Sequence, residues 1–281
     1  MSASKPAARV VAPPRPENPV PALNGKDWQE FTLKRIVDVN YNTKIFRFRL
    51  PAGATELGLP TASCVLVRFQ DGVDAKGKKK FVVRPYTPLE DPSLGVTGEF
   101  DLLIKHYEGG PMSTHIFNMV PGDKLQIKGP IAKYQWKKNE TKEIALIAGG
   151  TGITPMLQII QRILSDPEDM TRMSLTFCNV TERDILMRPY LDSLQTNHPN
   201  QFRVQYLLEK PTAGWNGPSG LIRPEILNRA CPTPGNGKVF VCGPDGFVKA
   251  ICGNKNPDLS QGTVSGYLKD MGYTENDVYK F

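Results

Sequence analysis

From Trp28 to about Gln135 apolar and polar residues tend to alternate at a period of two, as in KIFRFRL at 44–50. The pattern predicts strands over 31–37, 43–50, 63–69, 81–86, 99–106 and 124–128, separated by Gly, Pro and Asp turns. One helix is predicted in this half, over 112–119, just after Gly109, Gly110 and Pro111. Six short strands at this spacing predict a small closed antiparallel barrel.

At residue 143 the pattern changes. Short, mostly apolar runs over 143–148, 174–179, 202–208 and 238–241 read as strands buried on both faces. Between and after them come helical spacings over 155–164, 187–195, about 223–228, 245–251 and 264–271. Alternating strands and helices predict a doubly wound parallel sheet, with ligands at the carboxyl ends of its strands. The polar stretch 137–142 separates the halves, giving a barrel domain over 27–138 and an α/β domain over 139–281. Residues 1–26 show no period and are dominated by prolines, which predicts a disordered or extended tail, or a linker to an anchor outside this chain.

Composition changes the picture little. With 281 residues, 40% hydrophobic and 22% charged, the chain is of ordinary soluble, globular type and long enough for two cores. No apolar run reaches the ~18 residues of a membrane span. The net charge of +7, with basic runs at 76–80 and 137–138, suggests an acidic partner. Nothing resembles a nucleic-acid module. Cys64, Cys178, Cys231, Cys242 and Cys252 are an odd number without paired spacing, so free thiols and no metal site are expected.

Candidate chemistry concentrates at four places. The first is the stretch after the 143–148 run, where Gly149, Gly150 and Gly152 lead into Thr154, Pro155 and the next helix. Thr154 is placed as N-cap and Pro155 in the first turn. Strand, glycine turn and helix start make an anion site; the alternative is a tight turn with glycines for packing. The spacing is G-G-x-G, so it is not the usual dinucleotide fingerprint. The second place is Arg84, Pro85, Tyr86, Thr87 and Pro88 at a strand end, where an arginine can pair a phosphate and a tyrosine can stack on a flat ring. The third is Lys105 and Tyr107 followed by Gly110, Met112 and Ser113, a second glycine turn into a helix. The fourth is Cys242, Gly243 and Pro244 at the end of a buried strand; a cysteine there either faces a ligand or is a small buried hydrophobe. The aromatic Phe281 belongs to a fraying tail unless it covers something flat. Glu209 follows the 202–208 strand, where a carboxylate can meet a ribose hydroxyl.

These four motifs and the last aromatic occur in the order and spacing of the ferredoxin–NADP reductase superfamily, and over about 28–281 the chain resembles its NADH–cytochrome b5 reductase family. The stretch from Pro130 to Tyr134 and the chain ending are most like the fungal mitochondrial members. The resemblance implies FAD on the barrel and NADH on the α/β half. Arg84, Pro85, Tyr86 and Thr87 match the FAD motif, with Arg84 on pyrophosphate and Thr87, one of two residues placed at the chemistry, beside flavin N5. Lys105 and Tyr107 match further FAD positions; Gly110, Met112 and Ser113 match a second pyrophosphate contact. Thr154 and Pro155 stand close to the isoalloxazine. Gly150, Thr151 and Gly152, with Cys242, Gly243 and Pro244, match the NADH side, and Cys242 is the second residue at the chemistry. Glu209 is the expected selector of NADH, and Phe281 matches an aromatic near the flavin.

Four departures stand out. Pro111 replaces a frequent lysine, C-G-P-D-G-F replaces C-G-P-P-P-M, Val180 replaces a glutamine, and Cys64 stands about where some relatives carry a histidine. The implied activity is hydride transfer from NADH to FAD, then single electrons to a haem protein, with cytochrome b5 as acceptor. A monomer is expected, in the mitochondrial outer membrane or intermembrane space through an anchor elsewhere, or else at the cytosolic face of the endoplasmic reticulum. The competing readings are the reductase part of a multidomain enzyme such as nitrate reductase, and a non-catalytic flavin-binding module.

Overall fold

A computed structural model describes residues 18–89 and 98–281. The chain's first half forms strands β1 (Gln29–Asn40), β2 (Thr43–Arg49), β3 (Ser63–Val73), β4 (Lys79–Tyr86), β5 (Glu99–Lys105) and β6 (Lys124–Ala132), with helix α1 (Pro111–Phe117) before β6. All six strands are antiparallel, in the order β4-β3-β6-β1-β2-β5. The predicted closure is only vestigial. No ladder joins β4 to β5 among the described residues; the chain just past β4 meets β5 through one bridge, Leu89 with Asp101, in which each N–H donates to the other's carbonyl at 2.8 and 3.1 Å. Arg84-Pro85 explains part of this, since proline has no N–H to give a ladder. Inside the curved sheet Phe31, Phe46, Phe48, Phe100, Leu102, Ile104 and Ile127 are all at most 2% exposed, and Phe31 meets Phe100 edge-on at 5.3 Å.

The second half alternates β7 (Glu143–Gly149), α2 (Ile153–Ser165), β8 (Arg172–Asn179), α3 (Arg188–Asn197), β9 (Phe202–Leu208), α4 (Pro224–Ala230), β10 (Lys238–Cys242), α5 (Asp245–Cys252), α6 (Gly266–Asp270) and β11 (Val278–Lys280). The five strands are parallel in the order β11-β10-β7-β8-β9. Residues alternate between two cores, as a sheet covered on both faces requires. Ile144, Leu146 and Ala148 pack with α2 and α3, whereas Ala145 and Ile147 pack with α4, α5 and α6. The strand order reverses between β7 and β10, so a crevice opens at their carboxyl ends.

Three expectations are corrected. Thr154 is not the N-cap of α2: Gly152 is, and the Thr154 hydroxyl donates back to the Thr151 carbonyl at 3.1 Å. A short 3-10 turn over Gly150–Gly152 leads straight into the helix, which starts at Ile153, two positions earlier than expected. Phe281 is not on a fraying tail: β11 adds to the sheet, and the Phe281 N–H donates to the Val241 carbonyl at 3.0 Å. The reading of residues 1–26 as a loose segment falls partly outside the described residues, over 1–17. From Val20 to Gly25, however, the chain lies along the barrel, with Ala22 and Leu23 N–H groups donating to Glu56 and Leu57 carbonyls and both side chains buried.

The tightest joint of the α/β half is where the start of α2 passes the end of β10. A Cβ on Gly152 would sit 2.3 Å from the Cys242 carbonyl oxygen and 2.5 Å from its carbon. Both are backbone atoms, so no side chain can yield. Gly152→Ala should therefore cost roughly 1–3 kcal/mol, as overpacking does, and lower the midpoint of unfolding followed by circular dichroism. An unchanged midpoint would mean that helix and strand separate freely here.

Candidate functional site

The two halves share one apolar core. Ala62, Leu89, Leu103 and Trp136 of the barrel side are buried with Ile153, Met156, Ile160 and Phe177 of the α/β side. Polar contacts fix the alignment. The Gln158 side chain accepts the Ser63 N–H at 2.9 Å and donates to the Pro88 carbonyl at 2.8 Å. Trp136 Nε1 donates to Asp169 at 2.7 Å, and the Tyr279 hydroxyl donates to the Lys133 carbonyl at 2.6 Å. On the other side of the seam Tyr41 donates to Asp184 at 2.6 Å, with Lys105 Nζ 3.9 Å from the same carboxylate.

Above this seam lies a cleft of about 1130 Å³, and all nineteen sequence-predicted site residues line it. β4 delivers Arg84, Pro85, Tyr86 and Thr87 to one wall. Arg84 is exposed on the cleft, with one N–H given to the Val83 carbonyl at 2.7 Å. Burial, with Tyr107 nearby, pushes the Tyr86 phenol up to about 12, so it remains a neutral ring. The turn before α1 brings Gly110, Met112 and Ser113. The buried Ser113 hydroxyl accepts the Tyr107 N–H at 3.1 Å and lies 3.1 Å from the Gly110 carbonyl, so it shapes the turn that lines the cleft. Tyr107 itself is half exposed, its hydroxyl 3.4 Å from Thr151 across the cleft. Lys105 is shared with Asp184.

The facing wall is the switch point of the parallel sheet. Gly150 adopts φ +54° with open space where a Cβ would be, so backbone faces the cleft directly. Thr151, Gly152, Thr154 and Pro155 continue into α2, whose first N–H, that of Ile153, is given to the carbonyls of Gly150 and Thr151. Cys242, Gly243 and Pro244 end β10 beside them. Burial pushes the Cys242 thiol up to about 12, so it stays protonated and is no nucleophile. Glu209 is exposed at the cleft's edge, its N–H on the Asn179 carbonyl at 3.0 Å and Lys210 3.8 Å from its carboxylate. The Phe281 ring stacks at 27° on Phe240, 6.1 Å between centroids, and turns an aromatic surface to the cleft.

Some lining residues were not picked out by sequence reasoning. Asn179, at the carboxyl end of β8, has both side-chain polar atoms buried and without a partner. Its position at a strand end was the available signal. Asp245 and Phe247 also line the cleft, Phe247 packing its ring against Gly149 and Gly243. Lys133 and Lys255 enter it from two connecting segments that carry no motif. A smaller hollow of about 260 Å³ at the amino ends of β7, β8 and β9 gathers none of these groups.

The cleft suits two dinucleotides. A cationic side chain and two glycine turns can take pyrophosphates, flat aromatics can take rings, and the orphaned Asn179 amide calls for a polar ligand. Comparison with known proteins agrees. Residues 30–136 match the family model of the oxidoreductase FAD-binding domain, and residues 146–253 that of the oxidoreductase NAD-binding domain. The chain is 47% identical over 264 residues to an NADH-cytochrome b5 reductase-like protein of Arabidopsis thaliana, covering 94% of this chain and 79% of that protein. It is 45% identical over 262 residues to NADH-cytochrome b5 reductase 2 of Yarrowia lipolytica, covering 92% and 88%. Among solved structures it resembles the cytochrome b5 reductase domain of Ulva prolifera nitrate reductase, with a TM-score of 0.79 at 33% identity over 93% of this chain and all of that one. With both cofactor domains matched in order and this identity along nearly the whole chain, the protein belongs to the NADH-cytochrome b5 reductase family.

Proposed function

We propose that this chain is an NADH-dependent flavoprotein reductase that passes electrons singly to a haem protein, cytochrome b5 in the first place. The observation that carries the reading is the facing of Arg84–Thr87 and Gly150–Gly152 with Cys242–Pro244 across one cleft at the sheet's switch point. Bound FAD accepts a hydride from NADH and releases its electrons one at a time. The side chains bind, orient and exclude water.

Arg84 offers its guanidinium to pyrophosphate and Tyr86 a neutral ring face, while Thr87 sets a hydroxyl where the ring's polar edge would lie. The Gly150–Gly152 turn and the start of α2 receive the pyrophosphate of NADH. Cys242 presents an uncharged thiol that limits how the nicotinamide can lie, and Phe281 closes off the ring surface from water. The similarity to the cytochrome b5 reductase domain of a nitrate reductase fits the same reading. Resemblance to fungal members supports a mitochondrial setting; no helix among the described residues is long and apolar enough to cross a membrane.

The purified protein should be yellow, bleach on anaerobic mixing with NADH, and recolour as cytochrome b5 is added. With net charge +7 and four lysines between 76 and 80, the last step should slow from low to high salt. Lys138 is less available, being held by Glu168 and Asp166. A colourless protein, or one that NADH does not bleach, would overturn the reading.

Arg84→Ala removes a charge-assisted contact of about 1.5–3 kcal/mol, so FAD should bind roughly ten- to a hundredfold more weakly. Full retention of flavin through dilution and gel filtration would remove Arg84 from the phosphate site. Glu209 can accept a hydrogen bond from a ribose 2′-hydroxyl and repels a 2′-phosphate. Glu209→Ala should narrow the preference for NADH over NADPH, measured as the ratio of kcat/KM. An unchanged ratio would leave Glu209 as a solvated loop residue.

A further inference from the structure

Two lysines stand in the cleft wall without an anionic partner. Lys133 follows β6, and Lys255 lies on the segment after α5; both are half-buried. Neither ammonium has a hydrogen bond or ion pair among the described residues, and neither belongs to the few residues with further contacts. Lys133 is near enough to disfavour the charge of Lys255. Burial first, then Lys133, holds the Lys255 ammonium below its usual range. The groups around them offer no compensation: Cys64 and Cys242 are thiols raised by burial, and the Tyr279 hydroxyl is spent on the Lys133 carbonyl.

Lys255 is also held in place. The next-to-last residue, Lys280, is 1% exposed, and its ammonium donates to the carbonyls of Asn254 at 3.2 Å, Gly262 at 3.5 Å and Thr263 at 2.7 Å. The Gln261 side chain accepts the Lys280 N–H at 2.7 Å and donates to the Lys280 carbonyl at 3.0 Å. Both ends of the 254–263 loop are thereby pegged to β11, and Lys255 follows the first peg directly. A backbone fixed before the ligand arrives limits the reorganisation needed to bring the Lys255 ammonium to it.

The neighbours of the pair indicate the kind of charge it meets. Cys64, which precedes Val65, the cross-strand partner of Tyr86, pairs with Ile131 two residues before Lys133, and Asn254 beside Lys255 is pegged by Lys280, the neighbour of Phe281. Lys255 acts on Cys242. These are the parts of the two walls that present ring-binding groups, not Arg84 or the Gly110–Ser113 turn. Hydride transfer breaks a C–H bond of the dihydronicotinamide and forms an N–H bond on the flavin. Two electrons and one proton move together, so the neutral flavin ring gains one negative charge and NAD+ leaves with one positive.

Resting on the function proposed above, we infer that Lys133 and Lys255 form a cationic edge that stabilises the charge gained by the flavin ring, and so raises the potential of the bound cofactor. The two lysines act electrostatically and do not exchange protons or electrons with substrate.

The test is a reductive titration of the FAD-loaded protein against reference dyes, with no pyridine nucleotide present. Lys255→Met and Lys133→Met should each make the midpoint potential more negative. The double variant should lose at least tenfold in the equilibrium for two-electron reduction, about 30 mV. Lys255→Arg should keep most of the wild-type potential. Should the methionine variants shed flavin, Lys255→Gln removes the same charge with a polar side chain and is titrated in their place. NAD+ affinity, measured by calorimetry on the same preparations, should stay within twofold of wild type. An unchanged potential in the double variant overturns the inference; if NAD+ affinity falls instead, the pair serves the dinucleotide's phosphates. A wild-type protein without bound flavin would sink the functional reading itself, independently of either lysine.

Discussion

The cleft depends on the apolar core that the two sheets share. Neither sheet could present its half of the site alone, because the barrel edge at Leu89 and Leu103 and the face of α2 at Met156 and Ile160 would each expose buried surface. Once that surface is joined, the Gln158 amide and the Trp136 indole leave few alternative alignments, since each satisfies buried polar groups of the opposite half. The cofactor-facing groups of the β-half and those of the α/β-half are then held at fixed separation. The walls can be rigid because the chemistry is supplied by what lies between them.

Much of this was legible in the sequence, for identifiable reasons. Period-two alternation marked barrel strands where one face packs on aromatics and the other meets water, whereas β5, buried on both faces, showed as an apolar run. The apolar runs marked β7 to β10 because both faces of that sheet are covered. β11 escaped, since three residues, Val278, Tyr279 and Lys280, are too few to show a period, and a lysine 1% exposed reads as a surface residue. The α2 cap was misplaced because Thr154 followed by proline has the composition of a helix start, while the glycine turn before it already winds in the helical sense. Barrel closure could not be judged, since it turns on a single bridge at Leu89.

The site followed the same division. Motif residues carried their own signals, glycines for backbone approach and an arginine at a strand end, and the fold brought all of them to one cleft. Lys133 and Lys255 carried none as ligands, because a residue on a connecting segment takes its meaning from what the tertiary structure sets beside it, and Asn179 offered only its place at a strand end. Ser113 was marked by its place in a glycine turn, and the structure shows its hydroxyl holding that turn through Tyr107 and Gly110.

The peg formed by Lys280 and Gln261 has a consequence beyond the cleft. β11 is an outermost strand of the parallel sheet, and such an edge offers unpaired N–H and carbonyl groups to any other chain. Here the Gln261 amide occupies both backbone groups of Lys280 in the manner of a neighbouring strand, and the buried ammonium draws three loop carbonyls over the same edge. A partner strand would have to displace that cover and strand a buried charge. The loop that positions a cleft lysine therefore also guards the sheet against sticking to other molecules during and after folding.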